Sequence, residues 1–94
     1  MGISWPDMVW TVRFELRAEK EFGKLDRTVQ QRIIVFLKRL CANPAAYGKP
    51  LAGKRFAGLW SFRVGDWRLI GEIDTVGQIV TFYHLGHRRE VYRL

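Results

Sequence analysis

The stretch "LWSFRVGDWRLIGEI", Leu59 to Ile73, constrains this chain more than any other. Two runs of alternating apolar and polar residues flank Gly65-Asp66, and a two-residue connection with glycine first is a β-hairpin turn. Such a turn fixes the register, so Val64 faces Trp67, Arg63 faces Arg68 and Phe62 faces Leu69. One face then carries Trp60, Phe62, Val64, Trp67, Leu69 and Ile73, and it must be buried. The other carries Ser61, Arg63, Arg68, Ile70 and Glu72. Two guanidiniums opposed on one sheet face repel each other, at about 0.2–1 kcal/mol for a cross-strand pair. An anion between them relieves this, and phosphate oxygens match the planar guanidinium fork. The other reading is that Glu72 or the C-terminal carboxylate satisfies one arginine and solvent the other.

The apolar face needs a cover, and the N-terminal half supplies one. "MVWTVRF", Met8 to Phe14, alternates as a strand with Met8, Trp10, Val12 and Phe14 on one side. A short helix is expected from about Leu16 to Lys24, with Ala18, Phe22 and Leu25 inward. Asp26 suits the N-cap of a longer helix reaching about Cys41, where Val29, Ile33, Phe36, Leu37 and Leu40 recur at helical spacing. "ANP" at Ala42 to Pro44 should stop it. "AAYGKPLAGKRFAG" reads as a basic loop, and "QIVTFYHL" as the last strand after a turn at "DTVG". A tight turn there pairs Arg68 with Tyr83 and Ile70 with Thr81, placing Val80 and Phe82 on the core face. The expected fold is α+β, a single domain over residues 1–94. Two N-terminal helices pack on one face of a largely antiparallel four-stranded sheet, in the order β-α-α-β-β-β. Gly86 lets the chain bend after Leu85, so "HRREVYRL" borders the open sheet face and adds Arg88 and Tyr92 to it.

The formal net charge of +7 asks for an anionic partner. Cys41 is the only cysteine, which excludes an internal disulfide and a zinc site built from thiolates. No apolar run is long enough to span a membrane, and "MGISWPDMVW" lacks the order of a signal peptide, so the cytoplasm is expected. His84 lies among apolar strand residues and reads as a hydrogen-bonded structural histidine. His87 follows a glycine in a basic turn and is open to function. The two histidines have no nearby third ligand, so neither a metal site nor a cofactor is expected. Lys49, Lys54 and Arg55 lie in the basic loop, bordering the open face.

"FELRAEKEFGKLD", "DRTVQQRI", "NPAAYGKPLAG", "GLWSFRVGDWRLIGEID" and "VTFYHLGHRREVY" follow one another in this order. Together they resemble the RelE/ParE superfamily, the toxins of type II toxin–antitoxin pairs, from about Trp10 onward and closer to RelE. The resemblance implies a ribosome-dependent endoribonuclease that cuts mRNA in the ribosomal A site and arrests translation. It also implies an antitoxin partner, expected to be acidic and to wrap the basic face. Arg68, Arg88 and Tyr92 match family active-site positions. Members of the family carry two lysines on the strand before the hairpin, and Leu59 and Ser61 stand at those positions here. His87, Lys54 or Arg55 are the expected substitutes, with His87 as acid or base and Arg63, Lys54 and Arg55 on substrate. Without metal ligands, cleavage runs by attack of the 2′-hydroxyl on the adjacent phosphate. Two other readings stay open: a ParE-like inhibitor of DNA gyrase without a nuclease site, and a basic RNA- or protein-binding relic.

Overall fold

A computed structural model describes residues 2–3 and 9–92. The chain runs through β1 (Gly2–Ile3), β2 (Thr11–Phe14), α1 (Leu16–Gly23), α2 (Arg27–Leu40), β3 (Gly48–Pro50), β4 (Trp60–Val64), β5 (Trp67–Asp74) and β6 (Ile79–His87). Short 3-10 turns at Pro44–Ala46 and Lys54–Phe56 flank β3. The class is α+β as expected, with the two helices over one face of the sheet. No helix among the described residues is long and apolar enough to cross a membrane.

Local chemistry sets the helices. Asp26 lies outside the helical region of backbone space, and its carboxylate accepts the Val29 N–H at 2.9 Å, which satisfies one orphan donor at the start of α2. The Gln30 side chain donates to the Phe22 carbonyl at 3.0 Å, tying α2 back to α1. α2 ends at Leu40, before Pro44. Ala18, Ile33, Leu37 and Leu40 are buried beneath the helices, as their spacing requires.

The sheet has six strands in the order β1-β2-β6-β5-β4-β3, with β2 parallel to β6 and every other pair antiparallel. The four expected strands form its middle. The first begins at Thr11 rather than Met8, and Met8 lies outside the described residues. β1 and β3 extend the two edges. β3 was hidden because "GKP" joins two residue types that strands avoid, and proline is tolerated only on an edge.

At the hairpin the register is as the turn dictates: Val64 pairs with Trp67, Arg63 with Arg68 and Phe62 with Leu69. Gly65 takes the positive φ of 59° that the turn demands. The β5–β6 register differs from expectation. Arg68 pairs with Gly86 and Ile70 with His84, not with Tyr83 and Thr81. Two causes add. The turn is wider, because Asp74 pairs with Ile79 while its carboxylate accepts the Val76 and Gly77 N–H groups at 3.1 and 3.0 Å. A bulge between Ile70 and Gly71 then leaves Tyr83 as an extra residue on β6. Val80 and Phe82 still face the core, because both lie on the turn side of the bulge.

A chain of edge-to-face aromatic rings spans this core. Phe22 meets Phe14, Phe14 meets Phe82, Phe82 meets Phe62, Phe62 meets Phe36, and Phe36 meets Tyr47, with centroids 5.4–6.5 Å apart. Such pairs contribute about 0.5–1.5 kcal/mol each beyond the area they bury.

The bulge yields two predictions. A Cβ at Gly71 would fall on the Thr81 carbonyl oxygen, whereas nothing lies within 4 Å of one at Gly23. Gly71→Ala should therefore cost about 1–3 kcal/mol in urea unfolding, while Gly23→Ala leaves the midpoint unchanged or raises it. Equal midpoints for the two variants would contradict the bulge. Tyr83 beside it has its phenol pKa raised by burial, by its hydrogen bond to Glu72 and by the charges of Glu72 and Glu15. The folded state thus holds this proton more tightly than the unfolded chain. That contribution is complete below the unfolded phenol's pKa of about 10, and it is lost as pH rises through the higher folded value. Urea midpoints of the wild type should fall more steeply above pH ~10 than those of Tyr83→Phe.

Candidate functional site

The hairpin turn, not any long-range contact, sets Arg63 and Arg68 side by side on the sheet face away from the helices. One terminal nitrogen of Arg68 donates to the Gly65 and Trp67 carbonyls at 2.8 and 2.9 Å, which locks the guanidinium against the turn. A guanidinium has five donors in a fixed fork, so Nε and the other terminal nitrogen remain for an anion.

The C-terminal turn closes one side of this face. The Glu90 and Val91 N–H groups both donate to the His87 carbonyl at 2.9 Å, folding the chain back. Val91 is fully buried and packs near Gly86, and Ile70 on the same face is 1 % exposed. The next residue, Tyr92, reaches β4, where its hydroxyl lies 2.8 Å from Ser61 Oγ. The Phe56 ring meets Tyr92 edge-on at 6.3 Å, and the Arg55 guanidinium lies over the Phe56 ring, 5.5 Å from its centroid.

The result is a recess of about 370 Å³ whose lining includes Tyr47, Lys49, Ser61, Arg63, Arg68 and Tyr92, with no carboxylate among its lining residues. Of the site residues expected from the sequence, Arg63, Arg68 and Tyr92 are brought together here. Lys54 and Arg55 stand outside the lining, on the 3-10 turn beside Phe56. Arg88 sits at the tip of the hairpin, where its N–H donates to the Asp66 carbonyl at 2.8 Å and its side chain pairs with the Asp66 carboxylate at 3.6 Å. His87 lines a different recess, edge-on to Trp67, and its Nδ1 accepts the Arg89 N–H at 3.3 Å. Arg93 lies outside the described residues.

The sequence places Lys49 in a basic loop bordering the open face. β3 instead pairs it directly with Ser61, on the face that carries the arginines. The signal that could have found it is Gly48, since a Cβ there would stand 2.6 Å from the Phe62 ring, and only glycine lets β3 approach β4 so closely.

Two other groups have structural work. His84 is buried, its Nδ1 lies 2.8 Å from the Glu21 carboxylate, and the same carboxylate accepts the Leu85 N–H at 3.0 Å. Cys41 is buried, and burial pushes its thiol pKa up, away from the reactive thiolate. Among the described residues, no three His, Cys, Asp or Glu side chains gather as a metal site. A larger concavity, about 670 Å³, lies elsewhere, along α2 between Val35, Phe36 and Val64, with Arg27, Arg32 and Arg39 around it. Its floor is apolar, so it suits a protein segment better than a reaction.

Comparison with known proteins identifies the fold and the family. Residues 12–92 match the model for the ParE toxin of the parDE type II toxin–antitoxin system. The toxin RelG of Mycobacterium tuberculosis is 33 % identical over 87 residues, covering 92 % of this chain and 99 % of RelG. The toxin–antitoxin complex RelBE2 from the same organism contains a chain that superposes with a TM-score of 0.78 at 32 % identity, covering 84 % of this chain and 98 % of that one. An archaeal RelE–RelB complex from Pyrococcus horikoshii has the same fold, with a TM-score of 0.73 at 21 % identity over 86 % of this chain and 97 % of its own. A basic recess on a RelE-like sheet thus accompanies matches across nearly the whole length, and the chain belongs to the RelE/ParE superfamily of type II toxin–antitoxin toxins.

Proposed function

We propose that this toxin is an endoribonuclease that cuts mRNA in the ribosomal A site and thereby arrests translation. The observation that carries the reading is the recess, where Lys49, Arg63 and Arg68 converge with Tyr92 and no carboxylate is among the described lining residues. Uncompensated cations on a sheet face are costly unless an anion takes the place of their missing partners. The scissile phosphate of RNA is such an anion, and it gains charge in the transition state, where a preorganised guanidinium is most effective.

The reaction needs only side chains. The 2′-oxygen attacks phosphorus, the bond to O5′ breaks, and the products are a 2′,3′-cyclic phosphate and a 5′-hydroxyl. Arg68, already held by the turn, stabilises the non-bridging oxygens with Arg63 beside it. Tyr92, fixed by Ser61, orients the nucleotide. Arg88 joins from the hairpin tip, because its pairing with Asp66 is half-exposed and worth only about 0.2–1 kcal/mol, which a phosphate readily displaces. The mRNA is presented in position by the ribosome, so free RNA is a poor substrate. Arg68→Ala, on an exposed hairpin, should fold normally by circular dichroism and lose translation arrest. A folded Arg68→Ala variant that still stops protein synthesis would refute the assignment. Loss of DNA synthesis with mRNA ends intact in primer extension would favour gyrase as the target instead.

The partner this reading requires is a cognate antitoxin, as in the relatives solved as toxin–antitoxin complexes. An acidic segment complements the basic face. The groove along α2 offers an apolar floor with Arg27, Arg32 and Arg39 around it, suited to an acidic amphipathic helix. Arg32→Glu with Arg39→Glu should weaken antitoxin binding at least about tenfold and leave mRNA cleavage by the free toxin intact. Unchanged affinity in a titration would place the antitoxin elsewhere.

A further inference from the structure

We propose that Glu21 is a positioning residue: from α1 its carboxylate replaces a missing strand beside β6, and it thereby holds the turn that carries Arg88 and Tyr92. Its effect on cleavage rests on the nuclease reading above, whereas its hold on the turn does not. β6 runs from Ile79 to His87, and β5 pairs with it from end to end. On the other side β2 pairs with it only from Ile79 to Phe82. There the chain leaves the sheet, with the Glu15 N–H donating to the Phe82 carbonyl at 2.9 Å, and enters α1. The last stretch of β6 therefore has a strand on one side and none on the other. Backbone groups on such an edge, where it is buried, must be satisfied by other means.

Glu21 supplies them. Its carboxylate accepts the Leu85 N–H at 3.0 Å and lies 2.8 Å from His84 Nδ1. An ionised carboxylate only accepts, so Nδ1 carries the hydrogen of that bond. Leu85 is 2 % exposed and His84 7 % exposed, and a buried donor left without an acceptor is costly. His84 Nε2 is buried with no partner among the described residues, so the bond to Glu21 is what orients the ring. His84 pairs with Ile70, which puts the ring on the sheet face that the C-terminal turn covers, and it lines one recess with Glu90 and Val91. The turn begins two residues past Leu85. There the His87 carbonyl accepts the Glu90 and Val91 N–H groups, the Arg88 N–H donates to the Asp66 carbonyl, and Tyr92 reaches Ser61. Glu21 thus acts on Arg88 and Tyr92 through the end of the strand from which they hang.

The test compares the full wild-type chain with Glu21→Ala and with the milder Glu21→Asp, which draws the carboxylate back by one methylene and carries the test if the alanine variant does not fold. NMR order parameters read the turn in the folded molecules alone. At Glu90 and Val91 they should fall from about 0.85 toward ~0.6 or below, while Ile33 and Leu37 in α2 stay rigid. In single-turnover cleavage of ribosome-bound mRNA with toxin in excess, the limiting rate should drop about tenfold to 10²-fold. The half-saturating toxin concentration should change little, because Arg63, Arg68 and the ribosome still bind. Unchanged order parameters at Glu90 and Val91 in a folded variant overturn the inference. So does an unchanged limiting rate with only the half-saturating concentration raised, which is the mark of a residue that merely keeps more of the protein folded. Wild-type protein that leaves ribosome-bound mRNA whole overturns the nuclease reading instead, and the order parameters then decide alone whether Glu21 holds the turn.

Discussion

Phe62 is where the core and the recess are decided together. Its ring is fully buried, meets Phe82 at 5.4 Å and Phe36 at 6.5 Å, and leaves no room for a side chain at Gly48. Because β4 alternates, burying Phe62 forces Ser61 and Arg63 to the opposite face. Because Gly48 can lie against the same ring, β3 docks on β4 and brings Lys49 across from Ser61. One aromatic side chain thus fixes three polar positions that it never touches through their functional groups. Any substitution that lets β4 slip by one residue would turn all of them toward the helices.

The second constraint is electrostatic. The chain has nine acidic residues against sixteen basic ones, and it uses several acids far from the recess. Asp26 caps α2, Asp74 holds the last turn, Glu21 binds His84 and the Leu85 N–H, Asp66 faces Arg88, and Glu72 bonds Tyr83. Each of these acids does local structural work. Among the described residues, none of these acids lines the recess that holds Lys49, Arg63 and Arg68. The proposed anionic ligand is supported by this arrangement of the carboxylates as much as by the number of arginines.

What the sequence made legible was local. The hairpin register needed only Gly65-Asp66 and two alternating runs, and the start of α2 needed only Asp26 ahead of an amphipathic pattern. What it concealed was tertiary. β3 carries glycine and proline, and its pairing depends on space beside a ring supplied from another strand. The shifted β5–β6 register depends on a bulge that Gly71 permits only because the Thr81 carbonyl sits where a Cβ would be. The basic tail illustrates the same division. Its residues are consecutive in the sequence, so they looked like one group. The turn after His87 separates them, sending Arg88 to the hairpin tip, Val91 inward and Tyr92 to Ser61.

The shape of the recess bears on how such a toxin reaches specificity. At about 370 Å³ it lies near the small end of ligand pockets, which run from about 300 to 1,000 Å³. It is lined mainly by cations and phenols that recognise any phosphate and any nucleobase face. On the proposed function, little in it reads sequence, and binding to single-stranded RNA would weaken steeply with salt. On the nuclease reading, selectivity must therefore come from whatever holds the scissile phosphate in line with the 2′-hydroxyl. A ribosome that fixes one codon at one place supplies that alignment, which in favourable intramolecular cases is worth about 7–11 kcal/mol. On that reading the protein needs only to bring charge to a phosphate that is already aligned, and a shallow basic recess is sufficient for that.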